Sequence, residues 1–458
     1  MPTVPLPERP DLGQLRKQAK EIRSASGSTL TEAQRALAQR HGFASWPRLV
    51  RHVEAINARS WIYTDAPADE TLADRFLRLA CLNFAEDAPE RRAEAARLLD
   101  EHPDLSAPSI GVAAACADVS LLRQHLSAGV SASEPTGPYG WPPLMYLSYA
   151  RLDVGLDDTL AAARMLLDAG ADPNDGRFFL GLPTPFTVLT GALGGGEGDQ
   201  PPHPHSIALA RVLLAAGADP NDGQTLYNRM FSEREDAYEL LFAFGLGRGD
   251  GGPWRRLLPD LVDAPQESLR KLLAWAVLHD QRQRVELLAR NGVDVLSPLG
   301  TGITPLETAL RNGHREMADL LRRLGAAETE LDPVDAFIAA ALAGDETVVR
   351  AAPGHVVEAA RLARPGLLVW AVAQRRANAV KLLLSKGFDV NARARSDLPI
   401  EEPWQTPLHA AVEAGDVELA RLLLEHGADP GIRDHRFDGD ARNWAEHFGH
   451  TDMIALFG

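Results

Sequence analysis

One short phrase recurs along this chain, and recurrence limits a fold more tightly than composition does. Gly170-Ala171-Asp172-Pro173-Asn174 returns as Gly217-Ala218-Asp219-Pro220-Asn221 and again as Gly427-Ala428-Asp429-Pro430. Each copy follows an apolar tail: Ala163-Arg164-Met165-Leu166-Leu167, Ala210-Arg211-Val212-Leu213-Leu214 and Ala420-Arg421-Leu422-Leu423-Leu424. Leucines at that spacing bury one face of a helix, and a Gly just beyond the helix suits the left-handed C-terminal cap. Degenerate copies stand at Gly129, Gly292, Gly325 and Gly387, and Gly292 to Gly325 spans 33 residues. A period of that length describes a supersecondary unit that buries its apolar face only by stacking on its neighbours.

The other half of the unit is Thr406-Pro407-Leu408-His409-Ala410-Ala411, with a second copy at Thr304-Pro305-Leu306-Glu307-Thr308-Ala309. In both, the step from Thr to the following Gly is 21 residues. Thr can cap a helix, Pro suits its first turn, and small residues let neighbouring helices approach. This combination resembles the ankyrin-repeat family, over roughly residues 105–458. The resemblance implies an all-α fold: an ankyrin-repeat solenoid of about ten helix pairs. Counting from the glycines places the pairs near 108–128, 141–169, 184–216, 224–244, 266–291, 304–324, 333–352, 366–386, 405–426 and 440–457. Helices near 70–83 and 88–101 form a degenerate earlier pair, and an interruption falls near 353–364.

Residues 1–60 read differently. Asp11 opens a helix, and Gly42-Phe43-Ala44-Ser45-Trp46-Pro47-Arg48-Leu49 joins two more. The segment resembles the helical stretch ahead of the repeats in many bacterial ankyrin proteins, and is expected to cap the stack. The expected organisation is therefore this cap, the degenerate pair at 61–104, repeats with insertions at 105–247, a joint at 248–265 and repeats at 266–458.

Charge and composition exclude whole classes of function. The formal net charge is −16 and no long Lys/Arg run occurs, so the basic face that nucleic acid requires is missing. No run of about 18 apolar residues offers a membrane span. Cys81 and Cys116, the only cysteines, sit apart on apolar helical patterns, which argues for a reducing cytoplasm and against a disulfide or zinc framework. The amino terminus lacks a signal-peptide pattern, and the richness in Ala, Arg and Gly suits a bacterial source. No GxxxxGK[ST], GxSxG, HExxH or CxxC is present, so no cofactor or catalytic set is assigned.

Functional information lies in the departures from the repeat. From Thr184 to Gly217 is 33 residues where 21 are expected, and the excess runs Gly194-Gly195-Gly196-Glu197-Gly198-Asp199-Gln200-Pro201-Pro202-His203-Pro204-His205. Insertions in repeat proteins map to loops, where binding concentrates. His203 and His205 with Glu197 and Asp199 have metal-ligand chemistry, but Pro204 favours a backbone on which positions two apart do not align. No metal site is assigned. The next module, Tyr227-Asn228-Arg229-Met230-Phe231, replaces small repeat residues with bulky ones. With Phe178 and Phe179 it could line a pocket beside the insertion, or fill distorted repeat spacing. Gly247, Gly249 and Gly252 spell GxGxxG but follow a helix instead of a strand, which removes the dinucleotide reading. Trp254 and Arg255, at the next helix start, could hold an anion or belong to a joint. A small-molecule site or an enzyme at 178–256 is thus the alternative function.

The main expectation is binding of another protein. The position of Ala410 in the repeat is Trp at Trp275, Trp370 and Trp444, near the inner-helix surface, where Trp either anchors a partner or packs on the adjacent helix. Tyr139 and Trp141 precede one helix and Trp404 another, where ankyrin proteins commonly touch partners.

Overall fold

A computed structural model describes residues 4, 6–7, 10–61, 69–84, 87–179, 184–198 and 200–457. Among them are 27 helices and one small three-stranded sheet. The chain is an all-α ankyrin-type array divided into two compact units. One comprises residues 1–275 with 283–293, and the other residues 276–282 with 294–458.

Local chemistry explains why the helices start and stop where they do. Thr304 accepts a hydrogen bond from the Glu307 amide at 3.1 Å, and Pro305 occupies the first turn of Pro305–Arg311. Thr406 caps Pro407–Glu413 in the same way, with His409 returning the bond in a capping box. At the opposite ends Gly170, Gly217, Gly292, Gly325, Gly387 and Gly427 have φ between 76° and 102°. A side chain at Gly170, Gly217 or Gly427 would meet nothing within 4 Å. The left-handed backbone, not lack of room, is therefore what demands glycine there.

The Asn of the recurring phrase ties one repeat to the next. The Asn174 side chain donates to the Gly217 carbonyl at 2.9 Å and accepts the Asp219 amide at 2.8 Å. Asn391 bonds the Gly427 carbonyl and the Asp429 amide at 3.3 and 2.9 Å. The same stitch thus occurs in both units.

In the first unit, inner helices Ile110–Ala115, Pro143–Tyr149, Val188–Leu193 and Gly223–Met230 pack in succession. Outer helices Val119–Ser127, Leu156–Asp168, Ser206–Ala215 and Asp236–Ala243 follow them. Leu72–Ala80 and Pro89–Glu101 pack on each other, the former resting on Ile110–Ala115. In the second unit Leu367–Ala373, Pro407–Glu413 and Ala441–His447 pack in order around one apolar core. The stretch 353–364 contains an added helix, Gly354–Ala363, packed on Pro333–Leu342. What reads as an interruption of the repeat is filled by a third helix.

The amino-terminal helices Leu12–Ser26, Leu30–Arg40 and Trp46–Arg59 enclose their own core of Leu15, Leu37, Phe43, Leu49 and Val53. They dock on the side of the stack. Ser60–Trp61 pairs in parallel with Phe178–Phe179, and Gly176–Phe179 pairs antiparallel with Pro185–Thr187. Ala55 shares a buried cluster with Phe178, Leu258 and Val262, and Arg48 reaches Asp260 at 2.7 Å. The amino-terminal helices thus brace a middle repeat and the 252–262 segment.

Candidate functional site

The excess residues of the third repeat are fixed in place from below. Arg151 is buried, and its guanidinium donates to four carbonyls: Pro201 at 2.7 Å, Gly191 at 2.6 Å, Ser148 at 3.0 Å and Ala150 at 2.9 Å. Burial lowers its pKa to about 9, so it is a cation at neutral pH, neutralised chiefly by carbonyl dipoles. His203 lies beside it, buried, and burial followed by that cation brings its pKa down to about 3. The neutral His203 ring accepts the His205 amide on Nδ1 at 3.0 Å. His205 in turn donates from Nε2 to the Val154 carbonyl at 2.7 Å. Both imidazoles hold the loop's exit, and Asp199 lies outside the described residues. No metal-ligand group of three assembles among the described residues.

From above, the insertion closes on the helix Gly223–Met230. The Gly196 amide donates to the Asn228 carbonyl at 2.8 Å, and a Cβ at Gly195 would stand 2.6 Å from that oxygen. The helix itself starts at Asp222, which caps the Thr225 amide at 2.9 Å and accepts the Thr187 hydroxyl. Burial raises the Asp222 carboxyl to about 6.

Between insertion, helix and the segment 261–272 opens a cleft of about 540 Å³. Phe84, Phe186, Leu226, Met230 and Leu272 form apolar walls, with Glu197, Tyr227, Asp263 and Lys271 among its polar lining. Tyr227 is 42% exposed and donates its hydroxyl to the Glu197 carboxylate. Asn228 lines the cleft from a buried position, with Oδ1 accepting Gln224 at 2.8 Å.

The other residues of the ligand expectation are placed elsewhere. Arg229 is buried and bonds the Leu193 carbonyl at 3.3 Å and the Ser232 hydroxyl at 3.1 Å. Phe178 is core, meeting Trp254 edge-on at 5.5 Å, and Trp254 donates to the Asn174 carbonyl at 2.8 Å. Phe179 stands 6.1 Å from Phe186, and Arg255 donates to the Asp250 carbonyl at 3.1 Å. Trp254 and Arg255 belong to the helix Gly252–Leu257, within the first unit.

The aromatic residues expected to meet a partner divide into core and surface. Trp141 is fully buried among Tyr139, Tyr146 and Tyr149, at 4.6, 5.3 and 4.8 Å. Tyr139 is buried too, so neither offers a surface. Trp370 is also core, donating to Asn312 at 3.1 Å, and Trp275 is half-buried, meeting Phe231 edge-on at 4.9 Å. Trp444 is half-buried and donates to Asp434 at 2.9 Å.

Trp404 differs. It is half-buried, with the Arg395 guanidinium 4.0 Å above its ring and that of Arg436 4.7 Å away. Arg436 also lies 5.2 Å from Phe437, and Phe437 and Ile400 are 66% and 49% exposed. Two hairpins build this cluster. The first runs from Gly387 to Thr406, 19 residues against 12 from Gly292 to Thr304, and its arms meet at Ala394 and Gln405. Sequence reasoning missed Arg395, Arg436 and Phe437, although the lengthened hairpin was there to be counted.

The free thiols are quiet, since burial raises the pKa of Cys116 to about 12 and that of Cys81 still further. No helix among the described residues is long and apolar enough to cross a membrane.

Comparison with known proteins agrees with the second unit's architecture. Residues 336–434 match the family model for ankyrin repeats (3 copies). A segment is 47% identical over 67 residues to the 2-5A-dependent ribonuclease of Mus musculus, covering 14% of this chain and 8% of that protein. The putative ankyrin repeat protein FPV230 of Fowlpox virus is 40% identical over 67 residues, 15% of this chain and 32% of its own length. The potassium channel AKT3 of Oryza sativa subsp. japonica is 40% identical over 88 residues, 19% of this chain and 9% of the channel. The chain thus matches less than a third of the length of any of these relatives.

Proposed function

This chain is an ankyrin-repeat protein, and on that premise we propose that it binds a protein partner through the lengthened hairpin 387–406 and its neighbour 429–439. Ankyrin repeats are generic protein-interaction modules, and the coarse assignment rests on that. The observation that carries the finer one is the Arg395–Trp404–Arg436–Phe437 stack, half-buried at Arg395 and Trp404 and exposed at Arg436 and Phe437. Arg and Trp are the residue types on which binding energy concentrates. Guanidinium planes against the indole hold the aromatic surface in one geometry before any partner arrives. Within a regular repeat nothing requires extra hairpin residues, so their length supports a role outside the stack. Trp444, beside Phe437 at 6.1 Å, extends the same surface. We place this activity in a bacterial cytoplasm, on the composition, the two separate quiet thiols and the acidic charge.

The test is retention of a partner from a lysate of the cells that make the protein. Wild type should retain one dominant protein, and Trp404→Ala with Phe437→Ala should lose at least tenfold of it (roughly 1.4 kcal/mol) while the circular dichroism stays unchanged. Equal retention by the double variant would exclude this surface.

A further inference from the structure

We propose that the cleft in the first unit binds a small amphipathic amine, an apolar ring-bearing body carrying one protonated nitrogen. The inference is independent of the protein-partner reading, because it concerns other residues in another unit. Three observations carry it.

The first is shape. A cleft of about 540 Å³ falls in the range that accommodates small ligands, roughly 300–1,000 Å³. It exists because of the insertion, whose glycines wall it on one side. The backbone bonds from Gly195 to Gln200 and from Gly196 to Asn228, each 2.8 Å, make that wall part of the folded stack.

The second is electrostatic. Two carboxylates and one ammonium line the cleft, Glu197, Asp263 and Lys271. Lys271 Nζ lies 2.6 Å from Asp263 and 3.7 Å from Glu267 outside the lining, so its charge is already satisfied within the protein. Glu197 receives only the neutral Tyr227 hydroxyl, and no cation stands within ion-pair distance of it among the described residues. One carboxylate at the lining therefore awaits a positive partner, and an anionic ligand is disfavoured.

The third is the aromatic lining. Phe84 and Tyr227 present ring surface, with buried Phe186 behind Phe84, and ring faces attract cations while accepting apolar bodies. Phe84 is held against Phe186 at 4.9 Å in a left-handed backbone conformation, φ 57°. Such a conformation costs a bulky residue free energy and persists where its surroundings enforce it. Here the Asp87 carboxylate accepts the Asn83 and Phe84 amides at 2.9 and 2.8 Å.

Three probes of one size separate the contributions: 2-phenylethylamine, 2-phenylethanol and 3-phenylpropanoate, titrated into the full chain by calorimetry. The amine should saturate a single site about tenfold more tightly than the alcohol, and the acid should not bind. Glu197→Gln, at an exposed position, should bring the amine down to the alcohol's affinity. Ser268→Trp, on the half-buried lining face of Pro265–Leu278, should abolish binding of both by filling the cleft. The proposal is overturned by absence of saturable amine binding at millimolar concentration, or by equal affinity for amine and alcohol in the wild type. Amine binding unchanged in Glu197→Gln overturns it too, and that variant decides the matter even if Ser268→Trp does not fold.

Discussion

The two units use one repeat and tie it together over different spans of chain. In the second, His409 donates to the Gly439 carbonyl at 3.1 Å in the following hairpin, Asn391 joins adjacent repeats, and the longer ties from Trp370 and Arg376 to Asn312 span 58 and 64 positions. In the first, the decisive bonds span long stretches of chain. Arg151 gathers Gly191 and Pro201, Trp254 reaches Asn174, and Arg48 reaches Asp260. Nearest-neighbour cohesion preserves a repeat, because each copy needs the same partners from the next. Where cohesion is long-range, a repeat is free to take up an insertion, and with it a cleft. The contrast teaches where novelty is tolerated in such an array.

The strongest way to break the comparison is Arg151→Met. It leaves four carbonyls, three of them buried, without that donor and should cost the first unit about 4 kcal/mol. Denaturant unfolding followed by hydrogen exchange should show the first unit melting early and the second unchanged. A matched loss in both would mean the units are not energetically distinct.

Acid should act on both. Burial lowers His52 and His203 of the first unit to about 4 and about 3, and His279 and His314 of the second to about 4 and about 3. Folded pKa values below the unfolded 6.5 mean that their contribution is fully present above pH 6.5 and is lost as pH falls toward 3. Asp222 has the opposite sign: raised from 3.8 to about 6, it contributes stability that is complete below 3.8 and lost as pH rises through 6. Stability measured between pH 7 and 5 should therefore fall in both units, less steeply in the first. His52→Leu removes a ring whose Nδ1 has no hydrogen-bond partner and should flatten the pH dependence of the first unit alone.

Two smaller changes should show what the units share. Asn174→Ala and Asn391→Ala each remove one inter-repeat stitch and should cost about 1–2 kcal/mol apiece in thermal unfolding. Gly170→Ala and Gly427→Ala place a Cβ on a backbone with φ of 94° and 89°. Each should cost about 1 kcal/mol, equally in the two units.

What could be read from the sequence follows the same division. Caps, glycine ends and helix pairs are local, so Thr304, Thr406 and the recurring Gly placed nearly every pair correctly. Exposure is not local. Trp370 and Trp444 share one repeat position, yet Trp370 is core while Trp444 is half open, because position in a repeat does not say what covers it. Beside the insertion lies a cleft lined by Tyr227 and Asn228 but not by Arg229, His203 or His205. Arg229 and His203 turned inward because the distorted repeat had buried carbonyl and amide groups to satisfy. The Arg151 cage leaves no linear trace and the Trp404 stack leaves only its lengthened hairpin, since each depends on residues brought in from another repeat or hairpin.

The brace across the first unit also bears on synthesis. Arg48 and its partner Asp260 are separated by 212 positions. At ribosomal speeds of 5–20 residues per second, the amino-terminal helices wait about 10–40 s before their docking surface has been made. Throughout that interval Ala55 and Ile56, which finally rest among Phe178, Leu258 and Val262, remain uncovered on the nascent chain. The amino-terminal helices thus precede in the chain the segments they rest on, and are among the last elements of this fold to find their place.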